Sequence, residues 1–90
     1  MYSVYVLYSE KFDKIYIGYS SDLEQRLISH NELGKKDWTI KYRPWKLIHR
    51  EDYETKAEAM IREKFLKSGT GREWIHSFLI EKFRKGSYPP

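Results

Sequence analysis

The stretch Tyr2–Gly18, YSVYVLYSEKFDKIYIG, decides the fold. Its first half, Tyr2 to Tyr8, is rich in β-branched and aromatic residues, the side chains that fit a pleated and half-buried surface. Lys14 to Gly18 reads as a second short strand, and Ser9 to Asp13 is a polar connection of hairpin size. The expected register pairs Tyr5 with Tyr16, Leu7 with Lys14 and Ser3 with Gly18. Strand alternation then sets both tyrosines on one face of the sheet.

Three S/T-x-x-E capping boxes come next, each announcing a helix. Ser21 and Glu24 open the first, whose apolar stripe is Leu23, Leu27 and Ile28, and Gly34 closes it. Lys35 to Arg43 has no period and reads as a loop. Pro44 then leads into Trp45–Asp52, WKLIHRED, whose apolar centre Leu47-Ile48 marks a third strand. Thr55 and Glu58 open a second helix running to about Lys67, with Ala57, Ile61 and Phe65 as one row and Ala59 and Leu66 as an i, i+7 pair. Ser68-Gly69 breaks it. Thr70 and Glu73 open the last helix, in which Ile75, Leu79 and Phe83 recur; Gly86 and Pro89-Pro90 stop it. The expected fold is α+β, a three-stranded antiparallel sheet flanked by helices in the order β-β-α-β-α-α.

At 90 residues the chain reads as one domain spanning 1–90, burying about 60% of its unfolded surface. Aromatics at 17% supply much of that core. The absence of Cys removes disulfides, thiolate zinc sites and thiol nucleophiles. Mean hydropathy is −0.79, and neither a membrane-length apolar run nor a signal-peptide pattern is present, so the expected location is the cytoplasm. No Walker A loop, G-x-G-x-x-G or G-x-S-x-G occurs, and His30, His49 and His76 lack metal-ligand spacing.

Charge is concentrated. The chain is +4, and Leu33 to Arg50 alone carries +5, interleaved with Trp38, Tyr42 and Trp45. Such a segment suits a phosphate backbone, and it suits a solvated loop equally. Arg26 and His30 lie one turn apart on the first helix, either as a functional pair or as exposed polar residues. Glu63 sits among Ala59, Met60 and Leu66, with Lys67 as an i, i+4 partner, and reads as a functional acid or as half of a surface ion pair. Tyr5 and Tyr16, taken singly, are as well explained by packing.

Together these residues resemble the GIY-YIG nuclease domain. The ordered set is Ser3-Val4-Tyr5, then Tyr16-Ile17-Gly18, then Arg26, His30 and Glu63. The segment KIYIGYSSDLEQRL, Lys14–Leu27, is similar to small stand-alone bacterial members, as is RPWKL, Arg43–Leu47. Two departures stand out. The first triplet keeps only its Tyr, and the late Asn of many members has no counterpart in GREWIH, Gly71–His76, the sole Asn being Asn31.

The resemblance implies a metal-dependent endonuclease that hydrolyses phosphodiesters in nucleic acid, DNA before RNA, with low sequence specificity and a bearing on DNA repair. It implies one Mg²⁺ (or Mn²⁺) held by Glu63, since Mg²⁺ needs only one or two carboxylates beside phosphate and water. Arg26 is the implied phosphate clamp, its planar fork matching phosphate oxygens. Tyr5 is the implied base or water-positioner with Tyr16 and His30 assisting, and the resemblance leaves the roles of the two tyrosines interchangeable. Gly18 shapes the backbone beside them. Lys14, Lys35, Lys36, Lys41, Arg43 and Lys46 form the expected nucleic-acid track, and specificity is expected from substrate structure, such as nicks, flaps or single strands, or from a protein partner. The alternative is a catalytically inactive nucleic-acid-binding module on the same fold, favoured by the missing Asn. A protein-interaction domain with a relict site is the third reading.

Overall fold

The structure, a computed structural model, describes residues 1–33 and 38–86. Strands β1 (Tyr2–Ser9), β2 (Lys14–Ser20) and β3 (Lys46–Tyr53) form an antiparallel sheet in the order β2-β1-β3. Helix α1 (Leu23–Ile28) runs into a π turn, Ser29–Leu33, and a 3₁₀ turn at Trp38–Tyr42 precedes β3. After β3 come α2 (Lys56–Leu66), α3 (Gly69–Trp74), a second π turn at Ile75–Leu79 and α4 (Ile80–Arg84). The expected architecture and order hold.

The central strand is buried from Ser3 to Ser9, because both faces of the sheet are covered. Val4, Val6 and Tyr8 meet Ile17, Ile48 and the helical residues Ala59, Leu66, Ile75, Leu79 and Ile80 on one face, the helical face. Tyr5 and Leu7 meet Leu23 and Trp45 on the other, the tyrosine face, with Tyr16, Leu27 and Tyr42 packed beside them.

The hairpin register differs from expectation by two residues. Tyr5 pairs with Gly18, Leu7 with Tyr16 and Ser9 with Lys14. The strands therefore run longer and the turn is only Glu10 to Asp13. Asp13 takes a left-handed conformation (φ 53°), which Asp tolerates, and accepts a 2.7 Å hydrogen bond from the Tyr8 hydroxyl. A shift of two preserves side-chain parity, so Tyr5 and Tyr16 still share a face, now as diagonal neighbours. In β3 a bulge at Ile48 breaks the pairing with β1 between Val6 and Leu7, and turns Ile48 into the helical-face core.

Two of the three capping boxes are displaced. The Thr55–Glu58 box forms as expected. The cap of α1 is Asp22 rather than Ser21, its carboxylate accepting from the Gln25 amide at 3.1 Å. The cap of α3 is Ser68 rather than Thr70, its hydroxyl accepting from the Gly71 amide at 3.2 Å. Ser68-Gly69 is thus the start of a helix as well as a break. The Gly34 stop and Pro89-Pro90 fall outside the described residues.

The early start of α3 depends on Gly71. A Cβ there would lie 2.3 Å from the Phe65 carbonyl oxygen and 2.5 Å from the Leu66 Cα, so only Gly permits this approach of α3 to α2. Backbone atoms cannot yield as a side-chain tip can. Gly71→Ala is expected to cost about 3 kcal/mol of stability. Urea unfolding measures this; an unchanged midpoint would contradict the packing described.

The α2 face is the other correction. Ala59 and Leu66 face the core, whereas the Ala57, Ile61 and Phe65 row faces outward, Ile61 being 72% exposed. The helix is fixed in this rotation by a polar tie to β3. Arg62 donates to Glu51 through Nε (2.8 Å) and Nη2 (3.1 Å), and Glu51 also receives the Tyr53 hydroxyl and meets His49 Nε2, both at 2.6 Å.

Candidate active site

Tyr5, Tyr16, Gly18, Arg26 and Glu63 line one open cleft of about 480 Å³ at the β2 edge of the sheet. They are drawn from four different elements, β1, β2, α1 and α2. Tyr2, Tyr19, Ser20, Ser21 and Lys56 complete its wall.

Tyr5 is seated by Gly18, directly opposite it in the register. A Cβ on Gly18 would lie 2.7 Å from the Tyr5 hydroxyl oxygen, 2.9 Å from its Cζ and 3.0 Å from the Tyr16 ring. Gly18 therefore serves as floor space for the phenol tips in an extended strand, rather than as a turn. The two tyrosine rings stack with centroids 6.2 Å apart and planes 25° from parallel.

His30 completes the group from beneath. It is buried, its Nε2 3.2 Å from the Tyr5 hydroxyl and its Nδ1 3.3 Å from the Thr39 hydroxyl. Its ring centroid lies 4.4 Å from that of Tyr16. An ideal helix would keep His30 on the exposed face of Arg26. The wider π turn beginning at Ser29 breaks that relation and sends His30 inward. The segment is held there by Arg43, which donates to the carbonyls of His30 and Ser29, and by Asn31, which exchanges two hydrogen bonds with the Trp45 backbone.

Glu63 presents a carboxylate to the cleft with its side chain 18% exposed, and it pairs with the Lys67 ammonium at 3.4 Å. The ion pair with Lys67 is therefore present, and the same carboxylate borders the cleft. Arg26 is exposed at the cleft wall. Among the described residues no group of three His, Cys, Asp or Glu forms a ligand cluster. A single carboxylate in a polar, water-accessible cleft fits a hydrated Mg²⁺ or Mn²⁺ whose other ligands are water and phosphate oxygens. It does not fit zinc, which takes three or four protein ligands.

The Glu51 tie bears on this site because Arg62 directly precedes Glu63. Burial alone would raise the Glu51 carboxyl, but the hydrogen bonds from Arg62, His49 and Tyr53 and the Arg62 charge outweigh it and hold it at about 2 instead of 4.5. A folded-state value below the unfolded one means stability that is full above about pH 4.5 and is lost as pH falls toward 2. With partial solvent access the contribution is on the order of 1–2 kcal/mol. Glu51→Gln is expected to be less stable than wild type at pH 7, the gap narrowing as pH falls from about 4.5 toward 2. Thermal melts across that range check it, and parallel pH profiles would count against the tie.

Of the expected track residues, Lys14 is on the tyrosine face outside the cleft lining, its ammonium over the Tyr42 ring, 5.7 Å from the centroid. Lys41 is exposed. Arg43 is turned into the fold, as above. Lys46 lies over Phe83 and near Glu10, on the helical face. Lys35 and Lys36 fall outside the described residues. Lys56 is an addition to the expected set; it stands seven residues before Glu63 and so on the same helix face, a spacing readable from the sequence. Thr39 carries no sequence signal; only the folded 3₁₀ turn brings it to His30.

A family model described as the GIY-YIG catalytic domain matches residues 1–75. The chain belongs to the GIY-YIG family. Its members are nucleases, generally dependent on a divalent metal, which makes nucleic acid the substrate class. The chain is 40% identical over 72 residues to a UPF0213 protein of Bacillus velezensis, covering 80% of this chain and 72% of that one. It is 37% identical over 71 residues to a UPF0213 protein of Bacillus pumilus, covering 76% and 72%. A UPF0213 protein of Staphylococcus saprophyticus is 38% identical over 58 residues, covering 64% and 71%. No solved structure matches. No helix among the described residues is long and apolar enough to cross a membrane.

The family match ends at Ile75, yet the residues beyond it are part of the core. Leu79 and Ile80 are buried, Phe83 meets Tyr8 edge-to-face at 5.6 Å, and Arg84 donates to the Tyr8 hydroxyl at 3.4 Å. This last helical run seals the helical face under the hairpin.

Proposed function

We propose that this protein is an endonuclease that hydrolyses phosphodiester bonds in nucleic acid, DNA rather than RNA, using one Mg²⁺ or Mn²⁺ ion and reading little sequence. The observation that carries the proposal is the meeting of Tyr5, Tyr16, Arg26 and Glu63 around one cleft, with His30 on the Tyr5 hydroxyl. The preference for DNA comes from the family, because the cleft itself addresses the ester common to both polymers. Low specificity is expected from the cleft wall, which offers no base-reading helix.

Arg26 binds the non-bridging oxygens of the scissile phosphate through its fixed fork. In the tautomer that carries its proton on Nδ1 and donates it to Thr39, His30 accepts the Tyr5 phenol proton at Nε2. The Tyr5 oxygen in turn takes a proton from the attacking water as the new P–O bond forms, the P–O bond to the leaving oxygen breaks, and that oxygen takes a proton from solvent water. Tyr16 packs on His30 and keeps the ring aligned. Glu63 would hold the metal ion, which when bound would supply charge neutralisation for the developing negative charge. Proton handling by Tyr5 is supported by the 3.2 Å approach of its hydroxyl to His30 Nε2.

The test is incubation of purified protein with single-stranded, nicked and branched DNA and with RNA, with Mg²⁺, Mn²⁺ or EDTA. Cleavage that requires the ion is expected. Salt-sensitive binding without turnover in either metal would instead make the chain a non-catalytic nucleic-acid module.

A further inference from the structure

The β1–β2 turn carries an exposed aromatic where a polar residue would serve. Phe12 is 40% exposed, and its ring meets Tyr42 edge-to-face with centroids 5.5 Å apart. The Lys11 ammonium lies over one face of the Phe12 ring, 5.5 Å from its centroid, and that of Lys14 over one face of the Tyr42 ring at 5.7 Å. The acids of the same turn are already engaged, Glu10 with Lys46 at 3.6 Å and Asp13 with Tyr8 at 2.7 Å. The turn and the adjacent 3₁₀ segment therefore bring together two aromatic rings, each with a cation over one face.

Its placement gives this cluster a use. Lys14 and Tyr16 are alternate residues of β2, so both project from the tyrosine face about 7 Å apart. Tyr42 packs on the same buried group as Tyr16. The aromatic pair thus continues the cleft along the sheet, on the side away from Lys56.

We infer that Phe12 and Tyr42, with Lys11 and Lys14, form a stacking platform for an unpaired base of the substrate strand next to the scissile phosphate. This rests on the nuclease reading and narrows it, because the favoured substrate becomes single-stranded DNA or an unpaired flap. A base within a duplex has both faces covered by its neighbours, whereas an unpaired base offers a free π-face to an aromatic ring. Lysines beside the rings hold the phosphate of that nucleotide without reading its identity.

Binding measured in EDTA separates this claim from catalysis. The probes are fluorescein-labelled (dT)15 and a blunt duplex of the same length, followed by anisotropy at low salt. Wild-type protein is expected to bind the single strand more tightly than the duplex. Phe12→Ala is expected to weaken single-strand binding about tenfold with little effect on duplex binding, and Phe12→Trp is expected to restore it. An equal affinity for both probes, or a Phe12→Ala variant that binds (dT)15 like wild type, would overturn the platform. If metal-dependent cleavage persists in that event, the platform alone has failed and the nuclease reading stands. Phe12 lies in an exposed turn, so matching thermal melts of the three proteins confirm that the comparison is between folded states.

Discussion

Glu63→Gln is expected to lower cleavage on the order of 10³-fold while the fold persists. Gln has the shape of Glu and cannot neutralise a divalent ion, so the change removes the one carboxylate that the described residues of the cleft offer to a metal. Its structural cost is small. The Glu63–Lys67 contact is an i, i+4 pair at 3.4 Å with Lys67 about half exposed, of a kind worth about 0.3–0.5 kcal/mol. Affinity for (dT)15 in EDTA is expected to be unchanged or slightly higher, since one negative charge has left the phosphate path. The combination of lost turnover with retained binding and melting point separates a ligand role from a packing role. Wild-type turnover in Glu63→Gln would return this residue to its ion-pair reading.

The second large effect is expected from a single methyl group. Gly18→Ala introduces a Cβ 2.7 Å from the Tyr5 hydroxyl oxygen and 2.9 Å from its Cζ. Tyr5 is itself 1% exposed, so its ring has little room to retreat except by changing its approach to His30. Displacing a reacting group by a fraction of an ångström to an ångström costs about 10²-fold in rate. We therefore expect about that loss in Gly18→Ala, without loss of substrate affinity. A double variant with Tyr5→Phe is the internal control. If Gly18 acts through the Tyr5 hydroxyl, the double variant is no slower than Tyr5→Phe alone, a non-additivity that independent defects would not show.

How much of the fold and site is legible in the sequence depends on which physical signals are local. Strand alternation puts Tyr5 and Tyr16 on one face, and that result tolerates a register error because a shift of two keeps parity. The turn length is not legible, since it depends on Asp13 adopting a left-handed conformation under the Tyr8 hydroxyl, a contact made only in the folded hairpin. Helix existence is legible from caps and period. Helix starts are less so, because Ser21-Asp22 and Ser68-Gly69-Thr70 each offer neighbouring cap residues and packing chooses between them, through Gly71 in the case of α3. The rotation of α2 misleads because Ile61 and Phe65 look like core residues, whereas the Arg62–Glu51 tie fixes which face turns inward. Arg26, Glu63 and the tyrosines are each ambiguous alone and are picked out by their order along the chain. What fixes His30 is invisible, since neither the π turn nor the Thr39 contact leaves a pattern in sequence.

The central claim is that a divalent ion sits on Glu63, facing Tyr5 and Arg26 across one cleft. Crystals soaked in Mn²⁺ and measured for anomalous scattering test it directly. One peak is expected within about 2.2 Å of a Glu63 carboxylate oxygen, its other ligands being water. A peak seated elsewhere in a protein that cleaves, or two peaks bridged by other acids, would contradict it.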